Sequence, residues 1–323
     1  MTVGVACGES ERSNGDGGGS GGIQSAGGNG AQGGGGTSGL GNGGDPSLGS
    51  GGTEPVGKPQ IIDTHIHLWD LARDPQFDDG MTRLPADYET QARDAGITGC
   101  VLVEAVWSTL GDNQWGLQLA EENQFIVGVV GSLPVSSDQF LTNVATLASH
   151  SLFRGLRLGS VADLGSAKMS ALIDRGLSVD VNVNGPEAIL QLAAAAAAVP
   201  DLTVILDHAG GLSFVDTPSQ AWVDAMHQLA ANPNVVCKFS RFQEQAGSTP
   251  ATTPEAYTAA FGVLWDEFGE ERLMFGTNWP LSLKAGTLTD AVAIAKRPSG
   301  ELTESAVQKL LWRNAKRIYK LDV

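Results

Sequence analysis

The segment Ile61–Asp70, with the sequence IIDTHIHLWD, places two histidines one residue apart at the end of an apolar run. Side chains along a β-strand alternate between its two faces, so His65 and His67 are expected on one face and close together. Neutral imidazole is a common nitrogen ligand of zinc, and two imidazoles at one strand end can therefore hold a divalent metal. The alternative is a pair of buried histidines that hydrogen-bond to backbone groups, and this segment alone does not distinguish the two.

Polar residues occupy or follow several further apolar runs of the chain. They are Glu104, Arg154 and Arg157, Asp180 and Asn182, Asp207 and His208, Lys238, Ser240 and Arg241, and Asn278. His208 lies between an apolar run and two glycines, which favours a metal ligand or an acid–base group over a packing residue. His150 and His227 lie in helical stretches and are interpreted as surface or helix-end residues. Polar groups that converge from separate strand ends are what an active site requires.

Eight short, strand-like runs alternate with helical patterns after residue 58. The runs are 61–67, 97–105, 125–134, 153–159, 177–183, 202–209, 234–242 and 273–280. Most are almost continuously apolar, which is typical of parallel strands covered on both faces. Helices are predicted to begin at Pro186 and after Pro218.

This alternation predicts an α/β fold, a (β/α)8 TIM barrel over residues 59–323, with its site at the carboxyl ends of the strands. The alternative is an open, doubly wound sheet. No GxGxxG motif follows the first run, however, which weakens any version of that sheet that binds a dinucleotide.

Residues 1–58 differ in composition from the rest of the chain. More than half of the 43 glycines fall there, with few large apolar side chains. Such a segment cannot bury enough apolar surface to offset its ordering entropy, so we predict a disordered Gly/Ser-rich tether. Small and apolar residues precede Cys7, a pattern that resembles the end of a bacterial lipoprotein signal and predicts a lipid anchor in a bacterial envelope. Gly4 fits that signal poorly and no basic segment precedes it, so the alternative is a disordered extension of a cytoplasmic protein.

The 323-residue chain carries a net charge of −16, and its acidic residues are spread over the domain. This distribution argues against nucleic acids and anionic membrane surfaces as partners. No apolar run approaches the roughly 20 residues that a membrane-spanning helix needs. Cys100 and Cys237 lie within apolar runs without zinc or CxxC spacing and are predicted to be inert core thiols. The sequence predicts no oligomeric state.

Five motifs in this order, DTHIHLWD, FRGLRLG, LDHAGG, CKFS and LMFGTNWP, resemble the amidohydrolase-related family of TIM-barrel hydrolases, in particular its sugar-lactonase-like branch. The resemblance extends over about residues 61–319. It implies a barrel that hydrolyses lactones or similar cyclic carboxyl derivatives, and some relatives decarboxylate aromatic acids. His65 and His67 match the metal ligands of the first strand, and His208 matches the histidine of the sixth. Arg157 lies in a segment of the fourth strand that often contacts a substrate carboxylate.

The chain departs from the family pattern at Asn278, where relatives commonly have an aspartate that serves as metal ligand or general base. An amide takes no proton from water and binds a divalent metal more weakly than a carboxylate. The candidate catalytic residues are then His208, Asn278 and Glu104. Glu104 is the preferred replacement for the base, because strand alternation should direct Asp207 away from His208 and toward the helices.

The leading hypothesis is a hydrolase in which His65, His67 and His208 hold a divalent metal, with zinc as the expected ion. The metal would polarise the substrate carbonyl and activate a water molecule. A set of three histidine ligands also resembles the arrangement that leaves zinc one open position. A metal-independent reaction, in which histidine and arginine polarise the carbonyl, is the close alternative.

Arg157 is expected to bind a substrate carboxylate in a bidentate manner. Trp69, Trp107 and Trp279 lie next to strand ends and either form an apolar wall of the pocket or pack at the barrel mouth. Two further functions stay open: a decarboxylase of the same superfamily, and a barrel that only binds a small molecule, which the amide of Asn278 would explain. Convergence of the three histidines beside a carboxylate would favour an enzyme.

Overall fold

Eight parallel strands pair in chain order, each with the next. They are β1 (Ile62–Ile66), β2 (Gly99–Val103), β3 (Ile126–Gly131), β4 (Phe153–Leu158), β5 (Ser178–Val181), β6 (Val204–Leu206), β7 (Val235–Phe239) and β8 (Leu273–Phe275). This order confirms the predicted barrel, because the strands of a doubly wound sheet do not pair in sequence order. Each strand ends before the predicted run does, and the remaining residues of each run belong to the connecting segments.

Helices alternate with the strands. The α-helices are α1 (Pro85–Asp94), α2 (Leu110–Glu122), α3 (Phe140–Ala148), α4 (Ser170–Ile173), α5 (Pro186–Ala197), α6 (Gln220–Ala230), α7 (Thr258–Phe268), α8 (Leu288–Lys296), α9 (Glu304–Gln308) and α10 (Asn314–Ile318). A π-helical turn, Lys309–Arg313, joins α9 to α10. Helix α5 begins at Pro186 as predicted, and Ser219 caps α6 by accepting a hydrogen bond from the Trp222 N–H.

The structure, a computed structural model, describes residues 60–74, 80–214, 217–243, 253–296 and 302–323. The predicted tether of residues 1–58, its boundary with the barrel and the lipid anchor at Cys7 lie outside these ranges and remain predictions. None of the helices in the described ranges is long and apolar enough to cross a membrane.

Two apolar clusters lie on opposite faces of the strands. The larger fills the layer between strands and helices and contains Cys100 and Cys237. Burial raises the pKa of both thiols, which keeps them protonated as expected of core thiols. The smaller cluster fills the barrel interior and comprises Ile62, Val101, Val103, Val130, Ile205, Val236, Met274, Ala315, Ile318, Tyr319 and Leu321. Its last four members come from α10 and the residues that follow, so the C-terminal end of the chain packs into the barrel.

The barrel closes where β1 meets the segment that follows β8. Ile66 and Trp279 form a parallel bridge there. The His67 N–H donates to the Trp279 carbonyl at 2.8 Å, and the Asn278 N–H donates to the His65 carbonyl at 2.8 Å. The hydrogen bonds that close the barrel therefore also fix the two histidines of β1 against Asn278.

Asp63 of β1 is fully buried beside this closure and accepts hydrogen bonds from three elements. Its Oδ1 accepts from the backbone N–H groups of His65 (3.1 Å) and Thr277 (2.8 Å). Its Oδ2 accepts from the hydroxyls of Thr277 (2.5 Å) and of Tyr88 in α1 (2.9 Å). Burial raises the pKa of Asp63 to about 6 although these hydrogen bonds lower it, so the carboxyl is mostly ionised at neutral pH.

Replacing Asp63 by alanine is expected to lower the free energy of unfolding by about 3 kcal/mol or more, because several buried donors lose their acceptor at about 1–3 kcal/mol each. The control is Tyr88→Phe, which removes one donor and should cost about 1 kcal/mol. Urea unfolding of the three proteins at pH 7 measures both values. Equal stability of the two variants would contradict the role of Asp63 in closing the barrel.

Candidate active site

His65 and His67 face the barrel interior because β1 contains a bulge. Between Asp63 and Ile66, β1 has one residue more than the paired stretch of β2. The extra residue reverses the alternation of side chains, so Ile62 packs inside the barrel whereas Ile66 packs against the helices. The two imidazoles lie together, with their Nε2 atoms 3.2 Å apart and their ring planes at 85°.

Asp207 and His208 both point into the barrel, and the expectation that Asp207 faces the helices is wrong. Ile205 packs in the interior and Leu206 against the helices, so alternation directs Asp207 inward. His208 would then face outward, but its left-handed backbone (φ 55°, ψ 32°) ends the alternation. The imidazole of His208 is thereby turned toward His65, with the ring centroids 4.5 Å apart.

Left-handed backbone conformations recur at the carboxyl ends of the strands. Val106, His208, Arg241 and Asn278, which follow β2, β6, β7 and β8, have φ values of 61°, 55°, 57° and 68°. This region is sparsely populated by residues other than glycine, although asparagine tolerates it well. Strained residues of this kind cluster at functional sites, and here they surround the end of the barrel that carries the histidines.

Burial keeps the three histidines of the site uncharged. His65, His67 and His208 are 0%, 6% and 2% exposed. Burial lowers the pKa of His67 to about 4 and holds the pKa of His65 and His208 well below the usual value. All three imidazoles are neutral at neutral pH, and each has one N–H and one nitrogen with a lone pair.

The partners of His67 fix the position of its proton. Its Nδ1 lies 3.0 Å from the carbonyl oxygen of Val103, which can only accept, so Nδ1 carries the proton. Its Nε2 therefore has the lone pair and faces His65 Nε2 and Asn278 Oδ1, each at 3.2 Å. Histidines that bind metals commonly donate their other N–H to a carbonyl or carboxylate, and His67 is oriented in this way.

His65 has two competing partners at Nδ1, the Nζ of Lys238 at 3.2 Å and the Oδ1 of Asp207 at 3.3 Å. An ammonium group only donates, so the contact with Lys238 places the proton of His65 on Nε2, from which it reaches His67. An ionised carboxylate only accepts, so the contact with Asp207 places that proton on Nδ1. In the second arrangement the Nε2 lone pairs of His65 and His67 face each other, as a shared metal requires.

Asp207 lies at the centre of the charged groups of the site. Its carboxylate is buried and lies 3.1–3.3 Å from His65, Lys238 and Arg157. Within the described residues neither of its oxygens accepts a well-directed hydrogen bond. Burial raises the pKa of Asp207, but Lys238, His65 and Arg157 outweigh this effect and hold the pKa well below its usual value. Asp207 is thus an anion at neutral pH that is compensated by Lys238, Arg157 and His65.

These groups fit a divalent metal. His65, Asp207 and His208 each offer one ligand atom, and the three atoms lie within 4.8 Å of one another. His208 Nδ1 lies 2.9 Å from the hydroxyl of Ser240, which leaves Nε2 for a ligand. Neutral imidazoles and a carboxylate that lacks hydrogen bonds are a donor set that zinc and similar ions favour. Asp207 is the buried carboxylate of this group, and strand alternation relative to His208 had directed it toward the helices.

Arg157 and Glu104 pair with each other beside this cluster. Arg157 Nη1 lies 3.3 Å from Glu104 Oε1, and Arg157 Nε lies 3.1 Å from Asp207 Oδ2. The other carboxylate oxygen of Glu104 accepts a hydrogen bond from the Trp107 N–H at 3.0 Å. The guanidinium charge is therefore shared by two carboxylates of the protein. The predicted roles of Arg157 as carboxylate binder and of Glu104 as base stay predictions.

The three tryptophans named in the sequence are buried at the barrel mouth, with exposures of 0–5%. Trp279 packs edge-to-face on Tyr88, with the ring centroids 5.3 Å apart. The ring N–H of Trp69 donates to the Met81 carbonyl at 2.8 Å, and Trp107 packs over Gly116. All three pack in the core, and their contact with a substrate stays a prediction.

A second polar layer inside the barrel joins the site to the C-terminal end of the chain. The Nζ of the fully buried Lys238 lies 2.5 Å from Asp180 Oδ2. The Tyr319 hydroxyl donates to the same carboxylate at 2.9 and 3.1 Å. Burial raises the pKa of Asp180 to about 6. Strand alternation could have placed Asp180 and Lys238 in the interior, but no sequence signal indicated that Tyr319 reaches them.

Comparisons with known proteins agree with the motifs. The amidohydrolase family profile matches residues 62–321. The chain is 34% identical over 245 residues to an L-fucono-1,5-lactonase of Burkholderia ambifaria, covering 71% of this chain and 83% of that protein. It is 27% identical over 287 residues to an L-fucono-1,5-lactonase of Burkholderia multivorans, covering 80% and 96%. A crystal structure of a B. multivorans amidohydrolase with bound zinc superposes with a TM-score of 0.73 at 25% identity, covering 81% and 99%.

The buried histidines make stability depend on pH. The folded pKa of His67 is about 4 against an ordinary value of 6.5. As the pH falls, the unfolded chain therefore takes up a proton at this histidine before the folded protein does. The contribution of His67 to the free energy of unfolding is complete above pH 6.5 and is lost as the pH falls to 4. This residue alone contributes about 3 kcal/mol.

Asparagine at position 67 retains a donor for the Val103 carbonyl but does not titrate. His67→Asn should therefore reduce the decrease in unfolding free energy between pH 7.5 and pH 4 by about 3 kcal/mol. Urea unfolding between pH 4 and pH 7.5, with a chelator present, compares the two proteins. Parallel profiles for the wild type and His67→Asn would contradict a neutral, buried His67.

Proposed function

The chain belongs to the amidohydrolase family, and we propose that it is a hydrolase that opens a lactone ring with water. The observation that carries the proposal is the convergence of His65, His67 and His208, all neutral, beside the buried anion of Asp207. Two relatives with similar sequences are L-fucono-1,5-lactonases. Such a cluster favours catalysis over a barrel that only binds a small molecule, because histidines held neutral by burial are suited to ligation and to proton transfer.

The proposed reaction needs one proton transfer to a histidine and one from it. The water oxygen bonds to the lactone carbonyl carbon, the ring C–O bond breaks, and the ring oxygen leaves as a hydroxyl group. In the version without a metal, His208 takes a proton from the water and returns it to the ring oxygen. Arg157, which contacts Asp207 at this end of the barrel, stabilises the negative charge that develops on the carbonyl oxygen. The product is a hydroxy acid, which ionises.

A divalent metal held by His65, His67 and His208, with the anion of Asp207 beside them, would supply a Lewis acid for the lactone carbonyl. Zinc is the proposed ion, because the ligands are imidazole nitrogens and a crystal structure of a B. multivorans relative contains bound zinc. The metal-independent alternative is supported by the proton arrangement in which Lys238 donates to His65 and His65 donates to His67. Hydrolysis measured with a chelator and with added zinc separates the two versions.

The proposed substrate is a neutral lactone of the aldonolactone type rather than a dicarboxylate. Arg157 already pairs with Glu104 and Asp207, so little of its charge remains for a substrate carboxylate in the ground state. A neutral lactone becomes anionic only as the water attacks. A site whose cations are balanced by buried carboxylates therefore favours a neutral substrate over an anionic one in the ground state.

Purified protein should hydrolyse neutral aldonolactones faster than pyrone dicarboxylates in a panel assay that follows acid release. His208→Ala should lower kcat/KM by about 100-fold or more, as expected when a group that transfers protons is removed. The matched control is His227→Ala, since the His227 side chain is 75% exposed and pairs with Glu267 at the surface. The proposal fails if no lactone is hydrolysed, or if both variants keep the rate of the wild type.

Replacing Asn278 by aspartate should increase the stabilisation that zinc provides. The residue is 2% exposed and its Oδ1 lies 3.2 Å from His67 Nε2, so a carboxylate there adds an anionic ligand. Aspartate also tolerates the left-handed backbone. Without zinc the buried charge should lower the melting temperature, and zinc should restore it.

The control for this prediction is Asn113→Asp, a buried asparagine of α2 that bonds to the Thr109 and Ser132 carbonyls. It should lose stability that zinc does not restore. Thermal melts with a chelator and with zinc give both comparisons. Equal responses of Asn278→Asp and Asn113→Asp to zinc would show that strand eight does not face a metal.

A further inference from the structure

Lys238 is a fully buried lysine whose ammonium lies among three groups of the kind that bind metals. Its Nζ hydrogen-bonds to Asp180 Oδ2 at 2.5 Å and to His65 Nδ1 at 3.2 Å. It also pairs with Asp207 Oδ1 at 3.2 Å. The side chains of all four residues are entirely inaccessible to solvent. Two carboxylates and an imidazole nitrogen around one point are ligands that a divalent ion would accept.

Asp207 distinguishes this cluster from an ordinary buried ion pair. A buried carboxylate normally accepts hydrogen bonds, yet both oxygens of Asp207 lack a well-directed donor within the described residues. Its charge is balanced only by contacts with cations and His65. Without Lys238, and among the described residues, Asp180 would keep only the Tyr319 hydroxyl as a donor, and Asp207 would keep Arg157 as its only cation.

We propose that the Lys238 ammonium is a built-in cation that fills an inner cation site, formed by Asp180, Asp207 and His65 Nδ1. A divalent metal enters this inner site only when Lys238 is removed. The metal of the proposed function is then confined to the Nε2 side of His65, and the protein holds at most one metal ion in the barrel. The inner site does not require that the protein hydrolyse a lactone.

Lys238→Met tests the proposal, because methionine keeps much of the length of the side chain and removes its charge. The variant, dialysed with excess zinc and then into metal-free buffer, should retain about one zinc per chain more than the wild type, measured by elemental analysis. Zinc should also raise its melting temperature more than that of the wild type. Both readouts are differences from the wild type, so they remain decisive whether or not the wild type binds zinc or hydrolyses lactones.

The matched control is Lys309→Met. Lys309 also lies between two carboxylates, Glu270 at 2.6 Å and Glu271 at 2.5 Å, but both of these are well exposed at the surface. Loss of its ammonium should add no retained zinc, since solvated carboxylates without a nitrogen ligand bind zinc weakly. An equal gain of zinc in both variants would mean that any pair of carboxylates freed of a lysine binds the ion, and would overturn the proposal.

Within the described ranges, Lys238→Met removes the one cation that contacts Asp180 and one of the two that contact Asp207, so the folding of the variant is measured with and without zinc. Folding that depends on added zinc would support the inner site directly. The double variant Lys238→Met/Asp180→Asn removes one of the charges and keeps Asp207 and His65 as ligands. It should fold without zinc and still retain more zinc than the single variant Asp180→Asn, in which the ammonium remains. If the double variant retains no more zinc than Asp180→Asn, the ammonium does not occupy a metal position.

Discussion

The negative charge of Asp207 is buried inside the barrel, and the positions of the neighbouring polar groups follow from the need to compensate it. An unpaired carboxylate in an apolar interior costs several kcal/mol. Lys238 from β7 and Arg157 from β4 both contact it. Lys238 in turn pairs with Asp180, and Tyr319 donates to that carboxylate. Strands β4 to β7 and the C-terminal end of the chain are thus joined through one set of charges.

The closure of the barrel and the geometry of the site depend on each other. Asp63 binds the backbone N–H of His65 on one side and Thr277 on the other. His65 is a member of the histidine cluster, and Thr277 immediately precedes Asn278, whose Oδ1 faces His67. A loosened closure would therefore move the imidazoles and the amide relative to each other. Sites of this kind lose activity when positions shift by about 1 Å.

The sequence was sufficient to predict the fold and part of the site. Near-continuous apolar runs alternating with helices identify eight strands, because parallel strands buried on both faces leave this pattern whatever the site contains. Alternation failed at Asp207, because it cannot place both His208 and its neighbour inside the barrel. Local composition gives no sign that His208, which follows β6, has a left-handed backbone. Contacts across the barrel were missed for another reason. Asp180 and Tyr319 are 139 residues apart, and their hydrogen bond is set by strand register and C-terminal packing, which periodicity does not encode.

The proton on His65 links these contacts to the choice between metal-assisted and metal-free chemistry. Lys238 and Asp207 lie at nearly equal distances from His65 Nδ1, 3.2 and 3.3 Å, and they demand opposite protonation of that nitrogen. A metal on the Nε2 side requires the proton on Nδ1, so the ion would shift His65 from its bond with Lys238 toward Asp207. Lys238 would then pair only with Asp180 and Asp207. The affinity of the site for the proposed metal would therefore depend partly on the strength of a hydrogen bond on the far side of the ring, and Asp180 and Tyr319 would act on it through Lys238.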